Sequence, residues 1–266
     1  MKYSLLACAT FMSLCCSPAA FAWDWRVETG VHDFIVNQAD SHTPGINATF
    51  SFIHPLGSKS KLMGDIALYY DHDKDKLDPD HIPIWFSSSY LLSQEWLRLS
   101  PYTSFGGQLM LSGRRNTVSG IEKQFKVFPG MAVSYDDGRI MANVDLSFGY
   151  YLMELDDDVP KTAGYHRGEF SHDAGAFSAG IATHLQLSQS LAFIGSARNW
   201  HDGNDWLEYR YSGGFTLHHS AWQPGTLLQL EAVYHQYNLA PYNRGDVPIL
   251  PWNRDLKLQL GFSFAL

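Results

Sequence analysis

The chain has 266 residues, a formal net charge of −8 and 14% aromatic residues. Its lysines and arginines are scattered, which excludes nucleic acid as a partner on electrostatic grounds. No internal apolar run is long enough for a spanning helix, so the candidate classes are a soluble β-sandwich and a membrane β-barrel.

Residues 1–22 have a lysine at position 2, an apolar stretch and then Ala20-Phe21-Ala22. This is the pattern of a secretory signal peptide cleaved after Ala22, leaving 23–266 as one domain. Cys8, Cys15 and Cys16 all fall inside the leader. Neither cysteine context fits lipid attachment, so the exported chain is expected to use neither disulfides nor thiolate chemistry.

From Trp23 onward the chain repeats one grammar. Long segments alternate apolar and polar residues, the period of a strand with two different faces. The strands are predicted at 23–36, 45–55, 61–72, 81–92, 96–111, 121–135, 140–153, 173–186, 190–200, 206–218, 226–237 and 255–266. The sixth puts Phe125, Val127, Pro129, Met131, Val133 and Tyr135 on one side. The seventh opposes Val144, Leu146, Phe148 and Tyr150 to Asp145, Ser147 and Gly149. Between them stands Asp136-Asp137-Gly138-Arg139, a tight-turn signal.

The connections alternate in length. "PLGSKSK", "LSQEW", "DDGR", "LSQS" and "SAWQPG" are short, whereas 37–44, 73–80, 112–120, 154–172 and 238–254 are longer. Short turns at one end and long loops at the other predict an all-β fold, a closed antiparallel transmembrane barrel of about twelve strands, with ten or fourteen as alternatives. Closure is required because every backbone N–H and C=O needs a partner in hydrocarbon. Trp85, Trp96, Trp206, Trp222 and Trp252 fall near strand ends, where aromatic girdles sit.

The last strand, "LKLQLGFSFAL", alternates to its final residue. Its end, "QLGFSFAL", resembles the C-terminal strand signal of bacterial outer-membrane barrels, through Gln259, Gly261, Phe264 and Leu266. That resemblance implies recognition by barrel-assembly machinery and a bacterial outer membrane as destination. Outer-membrane lipid and lipopolysaccharide then become partners.

Alternation predicts a mixed lumen containing Asp24, Arg26, Glu28, Asp65, Asp71, Lys126, Asp145, Arg198, Glu208, Arg210, Glu231, His235, Lys257 and Gln259. Arg198, Glu208, Arg210, Glu231, His235, Lys257 and Asp145 are the constriction candidates. Such a set can orient a small polar solute. It can equally be an ion-pair network bracing a filled lumen, since buried charges must be paired. Small inward residues, from Ser147 to Ser196, leave room for water or for long side chains opposite.

"ARNWHDGNDW", through Ala197, Arg198, Trp200, His201, Asp202, Gly203 and Trp206, resembles a stretch of the nucleoside-specific channel family and implies a channel. "GFSFAL" is similar to the end of the small acidic-sugar porins, whose lumens are richly basic, unlike this one. "DHDKDKLDPDH" offers Asp71, Asp73 and Asp75 as cation ligands, but it lacks the glycine and terminal glutamate of a calcium-binding loop. No cofactor is expected.

For an outer-membrane hydrolase, His218-His219-Ser220 lies at a predicted periplasmic turn. Ser171 and His172 point to opposite faces. The functional expectation is therefore a narrow channel for small polar solutes. The alternatives are a structural or surface-interaction barrel, serving polysaccharide export or adhesion, and a lipid-modifying enzyme.

Overall fold

The computed structural model describes residues 23–37, 40–72, 83–116, 121–155, 170–240 and 253–266. The predicted signal segment, Trp252, Asp73 and Asp75 lie outside the described residues. The strands are β1 (Asp24–Val36), β2 (Ser41–Pro55), β3 (Ser60–Asp71), β4 (Ile84–Arg98), β5 (Thr103–Arg115) and β6 (Ile121–Asp136). They continue as β7 (Ile140–Leu155), β8 (Ser171–Gln186), β9 (Leu191–His201), β10 (Trp206–Leu217), β11 (Leu227–Tyr237) and β12 (Arg254–Ala265). Each pairs antiparallel with the next, and β12 closes on β1 with Val31 opposite Leu260. The fold is a closed twelve-stranded barrel, as the alternation predicts.

Burial follows the alternation. On β7, Leu146 is 66% exposed while its neighbours Asp145 and Ser147 are 3% and 6% exposed. Val144, Phe148, Phe177, Ile181, Leu230, Leu260 and Phe262 extend the outward apolar surface. This is the inverse of a soluble protein, and it fits a sheet whose outer solvent is hydrocarbon.

Tight turns join the strands at one end. At the β6–β7 turn, Asp137 Oδ1 accepts from the backbone N–H of Arg139 at 2.9 Å and of Ile140 at 2.7 Å. Gly138 takes a φ of +82°, a conformation that L side chains avoid. The Ile140 and Arg139 amides hold the Asp137 carboxyl below its ordinary range. A depressed folded value stabilises the fold above the unfolded value of about 3.9 and is lost as pH falls through the folded one. Asp137→Ala is therefore expected to lower the urea midpoint of the refolded barrel at pH 7. The gap to wild type should narrow in acid.

Two expectations are corrected. The β4–β5 turn is not "LSQEW" but Leu99–Tyr102, and β4 runs on to Arg98. Ser100 Oγ accepts from the N–H groups of Tyr102 and Thr103, so Ser100-Pro101 makes the turn. A bulge between Glu95 and Leu97 breaks the alternation there and exposes Trp96 and Leu97 together. Trp85 is not a girdle residue. Ile84 and Phe86 face out, and Trp85, 3% exposed, faces in and stacks on Tyr69 at 3.7 Å. An aromatic belt does form outside the short-turn end, where Trp23 stacks on Trp25 at 4.9 Å and on His54 at 4.1 Å.

Candidate functional site

The lumen divides into two halves. Toward the short turns it opens into a cavity of about 1450 Å³. One wall is small and hydroxylic, with Thr49, Ser51, Ser87, Ser89 and Ser112. Among the described residues, nine lysines and arginines line the cavity beside eight carboxylates, so this lining is neither strongly basic nor strongly acidic. Toward the long loops the described side chains fill the interior. Ile121, Phe128, Tyr151, Met153, Phe170, Leu207 and Tyr237 form a buried cluster there, and Phe34, Val36, Tyr69 and Trp85 form another.

A layer of polar side chains separates the halves and crosses the barrel. Glu208 on β10 is fully buried. Its Oε2 accepts from Lys126 Nζ at 2.5 Å, Gln124 Nε2 at 2.9 Å and the Tyr151 hydroxyl at 2.9 Å. The Lys126 ammonium also lies 3.9 Å from the Trp200 ring centroid. Beside it, Asp255 on β12 accepts from Arg114 Nη2 at 3.2 Å and from the Tyr237 hydroxyl at 3.1 Å. Its other oxygen meets His235 Nδ1 at 2.8 Å. Arg114 Nη1 donates to the Tyr237 hydroxyl at 3.0 Å, and its guanidinium lies against Phe34 and Trp85. We call this layer the septum. It ties β5, β6 and β7 to β10, β11 and β12.

Most of its charges are matched, as burial demands. The Glu208 Oε1 atom is an exception, having no hydrogen-bond partner among the described residues. The aromatic rings against Lys126 and Arg114 replace part of the lost hydration by cation–π attraction.

Two further pairs bridge strands that are not adjacent. Arg198 on β9 reaches across β8 to Asp145 on β7, with contacts of 2.7 and 2.6 Å, and also donates to Ser178 at 3.0 Å. Gly180 lies beneath it. A Cβ there would stand 2.4 Å from the Arg198 guanidinium, so only glycine leaves the path clear. His32 on β1 reaches Asp71 on β3 at 2.6 Å over Gly45 in the same way. Gly180→Val is expected to push Arg198 off Asp145 and leave that carboxylate buried without its partner. The expected loss is about 1–3 kcal/mol, read from denaturant unfolding in detergent.

The predicted site residues are thus placed. Glu208 and His235 enter the septum. Arg198, Arg210 and Lys257 line the cavity, with Lys257 donating to the Tyr69 hydroxyl at 2.7 Å. Asp145 is held by Arg198. Glu231 faces the cavity nearer the short turns, level with Gln259, which donates to Glu28. Asp71 faces inward and binds His32, so its carboxylate is engaged within the barrel. Asp24 is exposed and lies outside the cavity lining. Arg114 and Asp255 are not among the lumen residues that the sequence predicts. The predicted fifth strand stops at 111, short of Arg114, and Asp255 is the first residue of the predicted twelfth strand. Two signals could have found them: Arg114 continues the inward series of Gln108, Met110 and Ser112, and Asp255 precedes Lys257 on the inward face.

The "ARNWHDGNDW" stretch is the end of β9, a turn and the start of β10. In the turn, Asp202 Oδ1 accepts from the N–H groups of Asn204 and Asp205, both at 2.8 Å. Trp200 faces the lumen, while Trp206 lies at the rim and stacks on Tyr209 at 5.1 Å.

No protein-family model matches the chain, and no curated protein matches it either. Solved structures do. An outer-membrane channel from Pseudomonas putida F1 is 9% identical, with a TM-score of 0.51, covering 94% of this chain and 99% of that one. An anion-selective porin from Comamonas acidovorans has 8% identity, a TM-score of 0.42, and coverage of 92% and 99%. The KdgM porin in complex with disordered oligogalacturonate has 6% identity, a TM-score of 0.44, and coverage of 92% and 99%. At such identities likeness speaks to fold alone. With closure, strand number and an outward apolar face, the chain has the fold of a bacterial outer-membrane β-barrel.

Proposed function

We propose that the protein is an outer-membrane channel for small polar solutes, with its cavity open to the periplasm and the septum as its gate. The observation carrying this reading is the cavity itself. It is wide enough for water and a small solute, and hydroxyls and balanced charge line it. A barrel that serves only as a brace has no need of such a space. In this reading the short turns face the periplasm, following the usual orientation of such barrels. The β12 strand supports the assembly-signal reading, since Phe262 and Phe264 face outward and Gln259 faces the lumen. The outward apolar face meets lipid, and the long-loop rim meets lipopolysaccharide.

The filled long-loop half favours a second reading, a non-conducting structural or surface-interaction barrel. Single-channel recording of the refolded chain, with and without solutes, separates the two. Discrete conductance steps that small polar solutes modulate support the channel. A silent bilayer containing heat-modifiable, folded protein supports the brace.

A further inference from the structure

In the septum and just beneath it most of the charges are matched. Lys126 has Glu208, Arg114 has Asp255, and Arg198 has Asp145. Lys257 forms no ion pair among the described residues but donates to Tyr69 and lies 4.6 Å from its ring centroid. Arg210 on β10 is different. It lines the cavity, half-buried, and forms no ion pair among the described residues. Its one hydrogen bond there is a long one, from Nη1 to Ser196 Oγ at 3.4 Å.

Its surroundings make this costly. Directly across from Arg210 stand Arg198 on β9 and His235 on β11. Glu208, two residues away on β10, turns Oε2 to Lys126, Gln124 and Tyr151. Arg198 is neutralised by Asp145, whereas Arg210 beside it has no carboxylate at bonding distance among the described residues to offset its charge. Hydroxyls stand ready beside it, since Ser196 and Ser212 meet at 2.7 Å and either can donate.

Resting on the reading of the cavity as a solute compartment, we infer that Arg210 and Ser196, with Ser212 bonded behind Ser196, form an oxyanion site at its blind end. The ligand class is a small solute bearing a carboxylate or phosphate group. The guanidinium fork matches two oxygens of such a group, and with Ser212 donating to Ser196 the Ser196 hydroxyl is left to donate to a third. Asp145 is compatible with an anion nearby, because both its oxygens are bound by Arg198.

Inorganic phosphate is the probe, titrated by calorimetry into the refolded, heat-modifiable chain in detergent at low salt. Wild type is expected to bind it. Arg210→Gln should weaken binding at least tenfold, and Arg210→Lys should weaken it less. Arg26→Gln, near the cavity mouth, should leave it unchanged. Absence of phosphate binding by wild type overturns the site, as does Arg210→Gln binding like wild type or Arg26→Gln losing as much. If Arg210→Gln fails to fold, the wild-type titration and Arg210→Lys still decide. Bilayer recordings keep the two readings apart. A conducting wild type that ignores phosphate overturns the site and leaves the channel standing. Phosphate binding that depends on Arg210 in a silent barrel upholds the site and overturns the channel.

Discussion

Lys126→Met is expected to destabilise the barrel by about 3–5 kcal/mol, because it leaves the fully buried Glu208 without its cation. Gln124 and Tyr151 still donate to Glu208 Oε2, but neither neutralises it. The double variant Lys126→Met/Glu208→Leu should recover most of the loss, since apolar groups of similar volume replace a pair whose desolvation offsets much of its attraction. Guanidinium unfolding of the refolded protein in detergent reads both effects. Additive losses in the double variant would show that the two side chains do not act as a pair. Truncation is a different experiment. Lys126→Ala/Glu208→Ala removes the bar across the lumen and should raise conductance well above wild type. An unchanged conductance would place the barrier elsewhere.

Leu146→Arg is expected to impair assembly severely. Leu146 is 66% exposed near the middle of β7, between Val144 and Phe148 on the outward face. An arginine at the bilayer midplane of such a barrel costs about 2–4 kcal/mol. Leu146→Phe, which keeps the surface apolar, should be tolerated. The readouts are the amount of heat-modifiable protein in the outer membrane and the unfolding midpoint of refolded protein. Wild-type levels of Leu146→Arg would mean that this face does not meet hydrocarbon.

The barrel was legible in the sequence because each strand carries its own signal. A residue such as Leu146 declares its face by the polar neighbours on either side, and no other strand is needed to read it. The β6–β7 turn was legible for the same reason, since Asp137 and Gly138 act within four residues. Alternation fails where a bulge adds a residue. At Trp96 the phase slips, so alternation places the turn several residues early and leaves Arg114 in a loop. Trp85 is ambiguous in the sequence because a tryptophan near a strand end suits either a girdle or a lumen, and only the phase set by Ile84 and Phe86 separates them.

The site was less legible than the fold because its chemistry lies between distant strands. Alternation puts Glu208 in the lumen, yet nothing in "WLEYRY" says that Lys126 and Tyr151 will meet it. Separations of 82 and 57 residues are invisible to local pattern. Whether the lumen is open or filled depends on how far such side chains reach. The reading of the lumen as either constriction or brace was therefore balanced in the sequence. The structure contains both, an open half and a packed half.

The septum also bears on the order of folding events. Its contacts join β5, β6 and β7 to β10, β11 and β12, and Arg114 finds Asp255 141 residues away. Neighbouring strands can zip into hairpins early, whereas these bonds must wait until the sheet has curled far enough for its walls to face each other. Loop-closure entropy makes such contacts late. Substitutions at Lys126, Glu208, Arg114 or Asp255 should therefore speed unfolding far more than they slow folding, the kinetic mark of interactions missing from the transition state. The septum then acts as a latch, set only after the last strand has met the first, that lengthens the lifetime of a barrel already closed.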